Sequence, residues 1–256
     1  MKKLENIEDK LIPLGFIIIL ILIWELTVDN GIIPRFILPS PIDVIITTVQ
    51  IIGDLKEHIF ITLYEAIVGF AIAISLSLIL SILMDSFAII KKAIYPLLII
   101  SQTIPIVALA PLFVIWFGFG LLPKIIVVIL VCFFPIVISL LDGLQSIDPD
   151  MLNLLTSMGA SNMKMFTLVK FPSSMMSFFS GLRIAATYSI MGAVIGEWLG
   201  GESGLGVYMM RVKHSYAMNK VFAVILIIVV LSITLFKIID LIQYVSMPWN
   251  RKNIKN

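Results

Sequence analysis

Charge is scarce in this chain of 256 residues: 13% are Asp, Glu, Lys or Arg, while 60% are hydrophobic. The mean hydropathy is +1.10. A water-soluble domain carries about twice that charged fraction, so a soluble globular protein is excluded. Cysteine is nearly absent. Cys132 is the single one and falls in an apolar run, which rules out a disulfide framework or a thiolate-ligated metal within the chain. The two histidines, His58 and His214, lie far apart with no HExxH context and read as ordinary surface residues. No GxxxxGK[ST] occurs anywhere, so any ATP-driven work would need an ATPase on another chain. Charged residues are too sparse in the apolar segments to build a nucleophile–base pair or a metal cluster, which argues against a membrane enzyme. Nucleic acid is not an expected partner.

What the chain has instead is length in its apolar runs. Six stretches, roughly 11–28, 60–84, 94–117, 123–141, 179–199 and 221–245, reach the ~20 residues a spanning helix needs. The expectation is an all-α polytopic membrane protein with six transmembrane helices forming one domain over 1–256, in contact with the lipid bilayer. The first run follows "MKK" but leads into Trp24, Glu25 and Leu26 rather than a small-residue cleavage site, and reads as an uncleaved helix rather than a signal peptide. With the N-terminus inside, six spans bring the C-terminus inside too. Ten Lys and Arg then lie in inner segments (at 2, 3, 10, 91, 92, 164, 170, 251, 252 and 255). Six lie outside (at 35, 56, 124, 211, 213 and 220). The surplus favours this orientation.

Between the first two runs, residues 29–59 hold a Pro-Ser-Pro turn and then Val44, Ile45, Thr48, Ile51, Ile52 and Leu55 largely on one face, the pattern of a short interfacial helix. The third run carries Pro96, Pro105 and Pro111 with Ser101, Gln102 and Thr103 at mid-span. Proline frees carbonyls that neighbouring helices or a cavity must satisfy, so this span is expected to be kinked and to face protein or a pathway. The fifth run places Gly192, Gly196 and Gly200 four residues apart on one face, beside Glu197. That spacing allows close helix packing, and an ionisable residue within a span is a functional candidate. The expected pathway lining is Ser101, Gln102, Thr103, Tyr188, Ser189, Gly192 and Glu197. Lys237 and Asp240, three apart, suit a local ion pair. Asp142 and Arg183 sit near inner ends where solvation is easy. "GGESGLG" at 200–206 reads as a tight or re-entrant outer loop.

The segment 146–172 is too polar to span and too long for a simple hairpin. Asp148 can cap a helix, Pro149 suits its first position and Asp150 favours its positive end. Met151, Leu154, Leu155 and Met158 recur at helical spacing. Gly159 stands where a left-handed residue would stop the helix. Ser161 can cap a second short helix over 162–170, with Phe166 and Val169 pointing one way and Phe171-Pro172 as its end. Two short helices with apolar stripes need a cover. With only Lys164 and Lys170 to meet lipid headgroups, a partner's groove is favoured over the membrane surface.

"GASNMKMFTLVKFPSSMMSFFSGLRIA" resembles the cytoplasmic loop of permease subunits of binding-protein-dependent ABC importers. Gly159, Ala160, Ser161, Phe166, Val169, Pro172, Gly181, Leu182 and Arg183 fall in the family's order. "FILPSPIDVI", "IPIVALAPLFVIWFGFG", "FFPIVISLLDGLQSIDPDML" and "GEWLGGESGLGVYM" extend the resemblance to the branch that imports nitrate, sulfonates, taurine and thiamine-precursor pyrimidines. The resemblance implies the type I ABC importer permease fold and an inner-membrane location. It implies partnership with cytoplasmic ATPases that bind ATP and Mg, with an extracytoplasmic solute-binding protein and with a second permease copy. No cofactor is then expected on this chain. It also implies that 146–172 docks into the ATPase as a coupling helix, through Asp150, Met151, Leu154, Leu155, Met158, Gly159, Ala160, Ser161, Phe166 and Pro172. Where the family has Glu-Ala-Ala, this chain has Asn153-Leu154-Leu155, so the acidic contact is replaced. Glu65, in "TLYEAIVGF", stands where sulfonate-type relatives often carry a basic residue. An acid on a pathway disfavours anions, which tilts the expectation toward a neutral or cationic heterocycle. An ion-gradient-driven secondary transporter is the alternative, though it calls for charge pairs or repeat symmetry not evident in the sequence.

Overall fold

In the computed structural model, which describes residues 2–248 and their side chains from Leu11 onward, the chain is helical, with no strand among the described residues. The long elements are α1 (Lys2–Asp29), α3 (Lys56–Ser86), α6 (Leu121–Gln145), α9 (Phe171–Gly200) and α11 (Met218–Ser246). Each is long and apolar enough to cross a membrane. α4 (Ala88–Gln102) and α5 (Ile106–Phe117) are a pair bent by 102° that meets the same condition together, which makes five spans, or six with the pair taken as one. The third run is thus two helices and not one kinked helix. The break falls where Pro105 has no N–H for the Ser101 carbonyl, which the Ile104 amide takes at 3.3 Å instead.

The described chain divides into two compact units, one up to Glu57 with Tyr208–Ile227, the other His58–Val207 with the segment from Ile228 on. In the first, Trp24 Nε1 donates to the Pro39 carbonyl at 3.1 Å, and Arg35 reaches Asp29 at 2.9 Å and Asp43 at 3.6 Å. α2 (Pro41–Ile51) starts with Pro41 in its first turn and the Ser40 hydroxyl accepting the Asp43 N–H. Its buried face is Val44, Thr47 and Ile51, continued by Leu55, whereas Ile45 and Ile52 lie exposed. The anticipated stripe is therefore narrower than its apolar composition.

The second unit is built on the α6–α9 seam. Small residues let the two backbones meet. A Cβ on Gly181 would stand 2.7 Å from the Pro135 carbonyl, and one on Gly196 2.9 Å from Lys124 Cα. α3 is fastened to α6 by Ser77 and Ser81, which donate to the Phe133 and Val137 carbonyls, each at 3.1 Å. Val128, Cys132, Ile136, Leu140, Ala185, Ala186 and Ile190 fill the buried centre.

The segment after α6 follows its local signals. Asp148 accepts the Asp150 N–H at 2.9 Å and opens α7 (Pro149–Ser157). Gly159 adopts φ +83°, and the Ala160 N–H returns to the Leu155 carbonyl at 3.0 Å. Ser161 caps α8 (Asn162–Met165) through the Lys164 N–H. Phe171-Pro172 does not end this helix. A π-helical turn at Phe166–Lys170 joins α8 to α9, and helix runs on through 39 residues, Asn162–Gly200. The wider turn, with the Phe171 N–H reaching back to the Phe166 carbonyl, makes room for a proline ring that an ordinary α-turn would clash with. Gly159→Val is expected to lose about 1–2 kcal/mol by forcing a β-branched residue into a left-handed position. Thermal unfolding of the purified protein checks this.

Candidate functional site

Three features of the second unit gather its polar side chains. The first is a cavity of about 530 Å³ at the break between α4 and α5, walled by α6 and α9. Ser101, Gln102 and Tyr188, three of the residues expected to line a pathway, line it. Thr103 turns away and donates to the Ile100 carbonyl at 2.7 Å. Ser189, Gly192 and Glu197 do not line it. Ser189 is buried and donates to the Ala186 carbonyl, and Gly192 packs on Val128. Spacing placed Gly192 and Gly196 on one face, and that face meets α6, while Glu197 beside it turns to Thr62 of α3; one residue's step from Tyr188 to Ser189 turns a helix by about 100°. Ser139 lines the cavity and was missed. A small polar residue four positions after Pro135 in an apolar run was the available signal.

The second feature is a buried polar network joining α3, α6, α9 and the N-terminus of α10 (Leu205–His214). Lys124 Nζ donates to Glu65 Oε1 at 2.7 Å, with the two side chains 7% and 0% exposed. Lys124 is therefore not a solvated outer charge. Glu65 is neutralised in the core, so it gives no reason to expect rejection of anions. Glu197 accepts from the Thr62 hydroxyl at 2.6 Å and from the Gly206 N–H, and the Thr62 oxygen accepts the Leu205 N–H at 2.9 Å. His58 Nδ1 accepts the Gly204 N–H at 3.0 Å, so this histidine holds a loop rather than facing solvent alone. Glu197, Thr62 and His58 thus hold the amides of Gly206, Leu205 and Gly204 in turn, satisfying donors that helix starts leave open. Gly204, at φ +130°, lies directly against the Glu197 carboxyl, where any side chain would collide. Thr62, His58 and Lys124 were invisible as partners because each is more than 50 residues from what it holds.

The third feature is the α7–α8 segment. Leu154 is 62% exposed and Met158 75%, with Met151, Met163 and Leu168 also exposed. Asp150, Gly159 and Ser161 are exposed as well. Leu155, Ala160, Phe166 and Pro172 are half-buried, and Phe166 stacks near Phe171 with ring centroids 5.9 Å apart. The stripe read from the sequence is thus two surfaces, one leaning on the protein and one open. Lys170 ties this segment to α3 through Asp85 at 3.0 Å. Towards the end of α11, Arg183 pairs with Asp240 at 3.1 Å and with Gln243 at 2.6 Å. Asp240 also approaches Lys237 at 3.8 Å, so the local pair is the weaker half of a larger one. Among the described residues, no group of three or more His, Cys, Asp or Glu could hold a metal.

Residues 73–252 match the family described as "Binding-protein-dependent transport system inner membrane component". The chain is 38% identical over 245 residues to the formylaminopyrimidine transport permease protein ThiX of Halalkalibacterium halodurans, covering 94% of this chain and 96% of the relative. It is 30% identical over 252 residues to the riboflavin transport system permease protein RibX of Chloroflexus aurantiacus, covering 97% and 94%. It is 28% identical over 233 residues to the putative aliphatic sulfonates transport permease protein SsuC of Bacillus subtilis, covering 90% and 84%. The family match over more than half of the chain and the relatives named as transport permeases identify a transport protein rather than an enzyme, and the chain belongs to the inner-membrane permeases of binding-protein-dependent ABC transporters.

Proposed function

We propose that two copies of this chain form the translocation pathway of an ABC importer for a thiamine-precursor pyrimidine or a related heterocycle. Cytoplasmic ATPases dock on the α7–α8 segment, and a solute-binding protein delivers the solute from outside. Both termini lie in the cytoplasm. With Lys124 buried in an ion pair, the outer count of solvated Lys and Arg falls further below the inner one. ATP-driven closure of the ATPase pair rocks the permease between inward- and outward-facing states. Ser101, Gln102 and Tyr188 are the pathway residues this reading keeps.

The observation that carries the reading is the open apolar surface of α7 and α8. Leu154, Met158 and Met163 stand in solvent on a segment whose own ends are capped and whose other side is already packed. A surface of that kind is stable when a partner covers it. Similarity to permeases named for formylaminopyrimidine and riboflavin supports a heterocyclic solute.

Leu154→Asp with Met158→Asp is expected to abolish co-purification of an ATPase subunit in mild detergent. Monodisperse elution should remain, because neither side chain supports the fold. Retention of the ATPase by the double variant would remove this surface from the coupling contact. Uptake of labelled formylaminopyrimidine, an aliphatic sulfonate and riboflavin by vesicles holding the complete complex decides the solute. Uptake of the sulfonate alone would overturn the heterocycle.

A further inference from the structure

We infer that the cavity at the break in the third span is a solute subsite of the permease itself, selective for uncharged planar heterocycles over anions. This rests on the permease reading above. Its volume of about 530 Å³ lies within the range of small-molecule sites, which are largely apolar with a few placed polar groups. Here Phe134 and Met191 give apolar walls, and Ser101, Gln102, Ser139 and Tyr188 supply the polar groups. Among the described residues, no charged side chain lines it. An anion entering would leave water without meeting a cation, which is costly in an apolar surrounding. A neutral ring with donors and acceptors on its edge meets groups that match it. The Gln102 carboxamide offers both a donor and an acceptor, and the hydroxyls offer either. The Phe134 and Tyr188 rings supply flat surface for stacking.

The backbone points the same way. Irregular backbone at membrane depth is tolerated where it lines a cavity or is covered by protein, and the 102° break opens beside this one. Pro135 stands four residues after the lining residue Val131, so the Val131 carbonyl has no ordinary helical donor. The cavity is thus lined by Ile104 and Ile106 on either side of Pro105 and by Pro135 within α6, two prolines that each withhold a backbone donor.

Cysteine chemistry gives the test, because the chain's single thiol is buried. Ser139→Cys and Gln102→Cys are each placed in a Cys132→Ala background. Both are assembled with the ATPase and binding protein in lipid nanodiscs and exposed to N-ethylmaleimide. Both thiols are expected to react. Formylaminopyrimidine at about ten times its half-protecting concentration is expected to slow the reaction about tenfold, while methanesulfonate at the same concentration leaves it unchanged. Equal protection by methanesulfonate overturns the charge selectivity. Reaction unaffected by either solute, or thiols that do not react because another chain covers the cavity, overturns the subsite. Wild-type uptake is measured in parallel to separate the two readings. Protection without uptake counts against the proposed transported solute, and uptake without protection counts against the subsite alone.

Discussion

Lys124→Ala is expected to lose about 3–5 kcal/mol of stability, the range for removing one partner of a buried ion pair. The loss arises at Glu65 rather than at Lys124. Glu65 is fully buried, and among the described residues no donor meets its Oε2, so the ammonium at 2.7 Å is its main compensation. Once that is removed, the carboxylate must stay charged in an apolar seam, take up a proton, or draw water between α3 and α6. Each route loosens the bundle. The double variant Lys124→Met with Glu65→Leu is expected to recover most of the loss, because well-packed apolar residues replace buried pairs at little cost. The fraction remaining monodisperse after heating in detergent, read by size-exclusion chromatography, distinguishes these. Equal damage from the single and double variants would show that the pair does more than neutralise itself.

Gly181→Val is the second large effect. A Cβ at this position would stand 2.7 Å from the Pro135 carbonyl oxygen and 2.8 Å from Ser139 Cβ. The first of these is backbone and cannot rotate away. The two helices must separate, and overpacking of this kind costs about 1–3 kcal/mol at one site, with more where a whole seam opens. The same seam carries Gly143, whose added Cβ would meet Ser177 Cβ at 2.7 Å, so the contact is close from both helices. Gly15→Ala is the control. Among the described residues nothing lies within 4 Å of its added Cβ, and it sits inside α1, so it is expected to be neutral or stabilising by up to about 1 kcal/mol. Expression level and heat resistance of the two variants should diverge. Similar behaviour would mean that the seam does not set the stability.

The contrast between these sites shows what a sequence displays. The caps at Asp148 and Ser161 and the left-handed Gly159 were legible because each signal and its partner lie within a few residues. The five long spans were legible because hydropathy needs no partner at all, whereas the 102° break of the third run was read only as a kink. Lys124 was misread because its neighbour is Glu65, 59 residues away, and a lysine at a span's end has the same local appearance whether solvated or paired. Of the polar residues of the third span, Ser101 and Gln102 line a cavity and Thr103 does not. Gly192 and Gly196 were legible as one face, but periodicity groups residues on a face without saying what the face meets. Pro172 misled for a different reason. A proline stops an α-helix in isolation, but a single π-turn absorbs it, and nothing in the letters reveals that turn.

The uninterrupted helix from Asn162 to Gly200 has a mechanical consequence. At about 1.5 Å per residue it is a strut of about 58 Å. One end bears Met163 in solvent, and the other meets a turn pinned by Glu197 and His58. A strut without a hinge carries displacement along its length rather than dissipating it. Its single irregularity, the π-turn at Phe166–Lys170, sits next to Lys170, which is tethered to Asp85 on α3. Under the coupling proposed above, a displacement at α8 would reach α3 through this tether and α6 through the packed glycine seam, so the rod would move together with its two neighbours rather than swing between them.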